Sequence, residues 1–443
     1  MSQRKILWVI SGLLFIMALL HLWETYLPAE VLMVARWLGI LSIIYYGLTR
    51  RSLTLWILIA MVVGAAIGYD FPQVGQNLQV LSKIFLKLIK TVIAPLLFGT
   101  LVLGIAGHAD IRQVGRMGWK SLLYFEVVTT IALFIGLVAI NLSKAGVGMQ
   151  PPPEMKEDIL PSASQGWSDI ILHIFPENIT KSISEGQVLQ IVVFSILFGI
   201  ALAMINEKQR RPMLEFCESL SEVMFKFTSI IMYFAPIGVG AAMAYTVSHM
   251  GLEALVNLFK LLATLYVALI IFILIVLLPV ALITRLPIRR FISAIAEPVS
   301  IAFATTSSES ALPKAMEAME TLGVPRKTIA FVMPTGYSFN LDGTTLYLSL
   351  ASIFVAQAAG IPLSIGEQLL MVFTLMLTSK GVAGVPRASL IILLGTVASF
   401  KLPVWPIFLI LGIDELMDMA RTSVNVIGNC LATWVIARWE GEV

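Results

Sequence analysis

The stretch Asp414-Glu415-Leu416-Met417-Asp418-Met419-Ala420-Arg421-Thr422-Ser423-Val424-Asn425-Val426-Ile427-Gly428-Asn429 lies inside a long apolar segment near the C-terminus. Asp418, Arg421, Thr422, Asn425 and Asn429 stand at offsets 0, 3, 4, 7 and 11, and an α-helix stacks those offsets on one face. An acid, a base, a hydroxyl and two amides on one stripe of a membrane helix are costly unless a polar partner meets them. The rest of the chain is read for that partner.

Composition supplies the membrane. Of 443 residues, 58% are hydrophobic and 13% charged, against about 25% charged in ordinary soluble domains, and mean hydropathy is +0.90. A bilayer is crossed by about 20 apolar residues in helix. The apolar runs predict spans near 6–23, 31–48, 53–69, 80–107, 118–141, 187–205, 213–245, 252–283, 328–357 and 406–437. Arg4/Lys5, Arg50/Arg51, Arg112/Arg116, Lys208/Arg210/Arg211, Arg285/Arg289/Arg290, Arg326/Lys327 and Arg438 fall in every other short connection. The positive-inside rule makes those connections and both termini cytoplasmic. The connection 142–186, with Pro151-Pro152-Pro153, Glu154, Glu157 and Asp158, is then an external loop.

The remaining composition excludes more than it assigns. The run after Arg4 and Lys5 is expected to stay as helix, because Leu20-His21-Leu22-Trp23 offers no small-residue cleavage site. Cys217 and Cys430 lie far apart in apolar contexts, and the four histidines show no ligand spacing, so neither a disulfide framework nor a metal centre is indicated. A net charge of +3 gives no ground for a nucleic-acid partner, and no cofactor is expected.

Two segments, 291–322 and 365–402, are apolar but interrupted at the centre, by Thr305–Pro313 and by Thr378–Pro386. Small, hydroxylated and Gly/Pro-rich tips suit a turn between two half-helices, tolerated at membrane depth only when buried in protein or lining a wet cavity. Each therefore reads as a re-entrant hairpin, the first opening from the cytoplasm and the second from outside. Each is followed by a helix with a polar centre: Asn340-Leu341-Asp342-Gly343-Thr344-Thr345 in one copy, the Asp418 stripe in the other. Gly343 beside Asn340 and Asp342 is expected to unwind its helix locally. Inverted repeats with broken helices meeting near the midplane are the pattern of secondary transporters.

Arginine binds a carboxylate through two parallel hydrogen bonds, and aspartate suits an ammonium group. Asp418 and Arg421 at i and i+3 form either an internal salt bridge or a site for a ligand with one ammonium and two carboxylates. In the second reading Asp418 takes the ammonium, Arg421 the side-chain carboxylate and Asn425 the α-carboxylate. Asp342 with Asn340 suits a hard cation or a proton, or is a structural acid. Glu126, in Tyr124-Phe125-Glu126-Val127-Val128-Thr129-Thr130, is a candidate proton carrier because burial disfavours the charged carboxylate. The other reading is an acid held permanently by a neighbouring helix. Glu309, at the first hairpin tip, is a second candidate.

The motifs TTSSESALP at 305–313, NLDGT at 340–344, TSKGVAGVP at 378–386 and DMARTSVNVIGN at 418–429 resemble those of the dicarboxylate/amino acid:cation symporter family. That family includes bacterial proton/sodium glutamate symporters and animal excitatory amino acid transporters. The likeness covers roughly 52–440. It implies an all-α polytopic membrane protein with eight core transmembrane helices and two re-entrant hairpins, assembled as a homotrimer and working as an elevator. It also implies scaffold parts at about 51–116 and 142–250, and transport parts at about 117–141 and 251–440. Residues 1–50, holding two spans where the family has none, read as an added N-terminal helical hairpin. The implied location is the cell (inner) membrane.

The resemblance also distributes roles. Arg421 matches the residue that grips the substrate side-chain carboxylate, and Asp418 the one that holds its amino group. Thr422, Asn425, Thr344, Ser307, Ser308, Val385 and Pro386 match other substrate contacts. Relatives that carry C4-dicarboxylates lack the aspartate at position 418, so L-glutamate or L-aspartate is the implied substrate. Sodium-coupled relatives have aspartate where Asn429 stands and tyrosine where Phe125 stands. Some animal relatives carry a proton on an acid where Leu348 stands, and many relatives place an arginine at Thr306 or at Met419. These losses favour H+ over Na+ as coupling ion, with Glu126 as first carrier. Thr129, Asn340, Asp342, Asn425 and Asn429 are the further coupling candidates, with a sodium position at Asn340 and Asp342 as the alternative.

Two other classes fit less well. An intramembrane protease would need Asp342 and Asp418 as a dyad, but Arg421 one turn from Asp418 would hold that acid ionised. A channel would conduct without accumulating substrate. No enzyme activity is expected.

Overall fold

The computed structural model describes residues 28–50, 52–106, 114–149, 175–185, 188–379 and 388–443. The expected span 6–23, residues 150–174 of the external loop, Arg112, and the tip 380–387 with Val385 and Pro386 lie outside them. The described elements are helical, as hydrocarbon demands of a chain that must satisfy its backbone within each segment. In order they are α1 (Ala29–Leu48), α2 (Leu53–Asp70), α3 (Pro72–Asn77), α4 (Gln79–Ala106), α5 (Val114–Ser143), α6 (Ile179–Glu185), α7 (Val188–Met204), α8 (Glu207–Met232) and α9 (Ala235–Met250). Then come α10 (Glu253–Phe272), a π-helical turn (Ile273–Leu277), α11 (Leu278–Ile283), α12 (Ile288–Thr305), α13 (Ser308–Thr321), α14 (Arg326–Phe339), α15 (Asp342–Ala358), α16 (Ile365–Thr378), α17 (Ala388–Ser399) and α18 (Trp405–Glu440).

Among the described residues, five stretches are long and apolar enough to cross a membrane: Ala29–Leu48, Leu53–Asp70, Pro72–Leu103, Met117–Ser143 and Ala254–Ile283. The chain is an all-α, multi-pass membrane protein. Three of the expected spans differ from simple apolar rods, each for a physical reason. The run 213–245 is divided between α8 and α9, and 328–357 between α14 and α15. Helix α18 is continuous over 36 residues but carries Asp414, Glu415, Asp418 and Arg421.

By contact the chain forms two compact units, Met1–Phe85 with Tyr233–Leu255, and Leu86–Met232 with Val256–Val443. In the first, α2 packs against α1, α3 and α9. Arg36 on α1 grips Asp70 at the end of α2 through Nη2–Oδ1 at 2.7 Å and Nε–Oδ2 at 3.3 Å. Trp37 Nε1 donates to Asp70 Oδ2 at 2.9 Å, and the Arg36 guanidinium lies 4.8 Å from the Tyr69 ring centre. A fork-to-carboxylate pair fixes orientation as well as distance, so α1 is clasped to α2. Val34, Leu38, Leu41, Tyr45 and Leu48 stay exposed, an apolar face that hydrocarbon solvates at no cost.

In the second unit α15 and α18 occupy the centre. Every residue of α15 except Gln357 is buried, as are nearly all of α18 from Trp405 to Ala437. Helices α12, α13 and α14 pack on α18, while α5, α16 and α17 pack on α15. Helices α12 and α13 pack against each other across a turn in which Thr306 is left-handed (φ 52°) and the Ser307 hydroxyl oxygen accepts from Ser310 N–H at 3.2 Å. That bond satisfies an otherwise orphaned amide at the start of α13. Near the C-terminus, Lys120 Nζ meets Glu440 Oε1 at 2.6 Å, and the Thr328 hydroxyl donates to Glu442, tying α5 and α14 to the end of α18.

The break between α14 and α15 is not where glycine alone would put it. Asn340 (φ −114°, ψ 64°) and Leu341 (φ −98°, ψ 62°) leave helical geometry, while Gly343 sits in the first turn of α15. Its missing side chain serves another end: a Cβ there would run into the backbone carbonyl of Arg421. Glycine lets α15 and α18 touch backbone to backbone at the functional stripe.

Candidate substrate and cation site

The stripe on α18 is buried as a unit. Arg421 is 1% exposed and Asp418 5%. Arg421 Nε donates to Asp418 Oδ1 at 2.9 Å, and the Thr422 hydroxyl donates to the same oxygen at 2.8 Å. The internal salt bridge foreseen from the i, i+3 spacing is thus present. It leaves chemistry over: among the described residues, Asp418 Oδ2 and Arg421 Nη2 are buried without a hydrogen-bond partner. One unmet acceptor and one unmet donor, each on a charged group, lie on neighbouring turns of one helix. Leaving either unsatisfied costs more than a typical hydrogen bond returns, and a donor cation for the first with an acceptor anion for the second is the complementary chemistry.

Asn425 bridges α18 to the start of α15. Its Oδ1 accepts from Gly343 N–H at 2.8 Å and Thr344 N–H at 3.2 Å, and its Nδ2 donates to the Thr344 hydroxyl at 2.9 Å. The side chain is therefore a cap for α15 supplied by α18, holding two of the amides that a helix start leaves orphaned.

Asn340 and Asp342 meet beside that cap, with Gly428 of α18 packed against them, while Asn429 faces Gly336 of α14. Asn340 Nδ2 donates to Asp342 Oδ2 at 3.4 Å, and a Cβ on Gly428 would meet that same carboxylate oxygen. A Cβ on Gly336 would meet Asn429 Oδ1 and Phe125. Asn340 Oδ1 and both polar atoms of the Asn429 amide find no hydrogen-bond partner among the described residues. Asn340 and Asp342 thus place buried oxygens side by side at the α14–α15 break, the donor type a hard cation prefers. Among the described residues there is no group of three His, Cys, Asp or Glu side chains fit for a transition metal.

On α5, Phe125 and Thr129 are buried, and the Thr129 hydroxyl donates to Phe125 O at 2.6 Å. Glu126 is half-buried between exposed Leu123 and Val127, with the Thr130 hydroxyl 3.4 Å from its Oε1. It lies off the buried face that carries Phe125 and Thr129. Ser308 is buried and Ser307 half-buried at the first tip, while Glu309 is exposed.

Two participants escaped the spacing argument. Asp414 Oδ1 accepts from Arg421 Nη1 at 3.1 Å and from the Tyr347 hydroxyl at 3.3 Å. The guanidinium carbon stands 4.2 Å from the Tyr347 ring centre. Asp414 sits four residues before Asp418, an offset that also falls on the stripe. Tyr347 on α15 carried no sequence signal distinct from a core aromatic.

A family model described as the Sodium:dicarboxylate symporter family matches residues 53–439. The chain is 41% identical over 396 residues to the Proton/sodium-glutamate symport protein of Geobacillus stearothermophilus, covering 87% of this chain and 94% of that one. It is 42% identical over 401 residues to the C4-dicarboxylate transport protein of Solibacter usitatus, with 89% and 94% covered. It is 41% identical over 408 residues to the Proton/glutamate-aspartate symporter of Escherichia coli, with 88% and 93% covered.

Proposed function

Because the chain belongs to the sodium:dicarboxylate symporter family, a family of transporters rather than enzymes, we propose that it imports acidic amino acids, glutamate or aspartate, together with a cation. The relatives are named for glutamate or aspartate in some cases and for C4-dicarboxylates in others, and similar identity to both does not choose. The observation that carries the choice is Asp418. Its Oδ2 lies buried beside Arg421 with no partner among the described residues, an acceptor that suits an ammonium and repels a second carboxylate. Asp418→Ser is expected to lower glutamate and aspartate uptake at least tenfold while succinate uptake persists. Equal loss of both substrates in labelled uptake would count against the assignment.

Two cation readings have separate support. Asn429 and Phe125 stand where sodium-coupled relatives carry aspartate and tyrosine, which favours the proton. The buried oxygens of Asn340 and Asp342 favour sodium, and two relatives are named for both ions. Glutamate uptake into proteoliposomes, with sodium and pH gradients imposed independently, separates the two. Uptake driven by a pH gradient without sodium supports the proton, and strict dependence on sodium supports the other ion. Glu126→Gln tests the first carrier. If Glu126 carries the proton, the pH dependence of uptake flattens; if its half-exposed position is only structural, the profile of the variant overlays the wild type.

The working arrangement proposed is a homotrimer in the cell (inner) membrane with cytoplasmic termini. The helix pairs α12/α13 and α16/α17 act as re-entrant gates, and a transport part, about 117–141 and 251–440, moves against a scaffold of about 51–116 and 142–250.

A further inference from the structure

We infer that Asp414 and Tyr347 form a fixed seat for Arg421, leaving Asp418 as its exchangeable partner, so that Asp414 is a positioning residue for amino-acid recognition. The inference rests on the acidic amino acid reading and adds to it the means by which Asp418 is freed for an ammonium. Asp414 and Tyr347 are both fully buried. Two turns of α18 bring Asp414 Oδ1 to Arg421 Nη1 at 3.1 Å, and Tyr347 closes that edge with its hydroxyl on the same oxygen at 3.3 Å. The Tyr347 ring lies under the guanidinium at 4.2 Å. On the other side Arg421 Nε is held by Asp418 Oδ1 at 2.9 Å, while Arg421 Nη2 and Asp418 Oδ2 are the atoms without partners among the described residues.

Charge counting gives the same division. One guanidinium faces two carboxylates. A buried arginine without a counter-ion is strongly disfavoured, so one carboxylate belongs to Arg421 whatever else binds. With Asp414 in that role, Asp418 holds a negative charge that an arriving ammonium can claim, and the substrate carboxylate takes the Nη2 edge. Without Asp414, Asp418 becomes the sole counter-ion and is drawn into a tighter pair with Arg421. Recognition of the ammonium then suffers, while recognition of a dicarboxylate lacking one does not.

The test uses the full chain in proteoliposomes, with L-aspartate and succinate as probes, comparing wild type, Asp414→Asn and Tyr347→Phe. Expected is a rise of tenfold or more in the ratio of succinate affinity to aspartate affinity in Asp414→Asn, and a smaller rise in the same direction in Tyr347→Phe. A merely structural role would weaken both probes by one factor and leave the ratio unmoved, and that result would overturn the inference. Should Asp414→Asn fail to fold, Tyr347→Phe carries the decision: an unmoved ratio there overturns it. Wild type that takes succinate and no amino acid overturns the substrate reading and this inference together. Wild type that takes aspartate, with unmoved ratios in the variants, overturns this inference alone.

Discussion

Replacing Arg421 with alanine is expected to abolish uptake of acidic amino acids. The side chain is buried, paired to Asp418 at 2.9 Å and to Asp414 at 3.1 Å. Truncating one partner of a buried, hydrogen-bonded charge pair costs about 2–5 kcal/mol, and each ~1.4 kcal/mol is tenfold in affinity. The loss expected is therefore roughly thirty- to several-thousand-fold. Two carboxylates would also be left facing each other on one helix, so the melting temperature of the purified protein should fall. Arg421→Lys separates the two effects. It restores the charge and with it much of the stability, but a lysine lacks the planar fork that grips a carboxylate at two points. Transport should stay low in the lysine variant while melting recovers. Tight glutamate binding by the alanine variant would refute the role assigned to Arg421.

The second large effect is expected at Gly343, which contacts no ligand in the proposed mechanism. A methyl group there meets the backbone carbonyl of Arg421, and backbone cannot swing aside as a side-chain tip can. Helices α15 and α18 must move apart. The Asn425 amide then loses hold of Gly343 and Thr344 N–H, now at 2.8 and 3.2 Å. Overpacking of this kind costs about 1–3 kcal/mol, and each buried donor left unmet adds about 1–3 kcal/mol. Gly343→Ala should reduce uptake at least tenfold and lower thermal stability together. Gly428→Ala presses instead on the Asp342 carboxylate. There the half-saturating cation concentration should rise more than that for substrate, and a variant with unchanged cation dependence would argue against a cation at Asp342.

The central stripe was legible because helical spacing needs no knowledge of the fold. Asp418, Arg421 and Thr422 meet where their offsets place them. Asp414 obeys the same spacing one turn earlier, where an acid before the stripe has no sequence feature that ties it to Arg421. Tyr347 was invisible, because only a packed neighbour distinguishes an aromatic that carries a cation from one that fills space. The bonds from Asn425 to the start of another helix, 81 and 82 residues earlier in the chain, leave no mark in the sequence. The unwound point was expected at Gly343 on propensity, yet falls at Asn340 and Leu341. Contact with α18 overrides propensity there, putting glycine where two backbones touch. The clasp of Arg36 on Asp70 was equally hidden, joining residues 34 apart in sequence.

The length of α18 has an electrical consequence. Its 36 residues extend about 54 Å at ~1.5 Å per residue, well beyond the ~30 Å hydrocarbon core. Arg421 stands roughly 24 Å from one end and 28 Å from the other, at ~1.5 Å per residue, near the middle of the helix. With the bilayer centred on α18, a charge delivered to Arg421 would cross about half of the transmembrane voltage, roughly 1 kcal/mol per 100 mV. Any net charge held at that depth would sense the membrane potential, so a voltage dependence of binding would report how many charges travel together to Arg421.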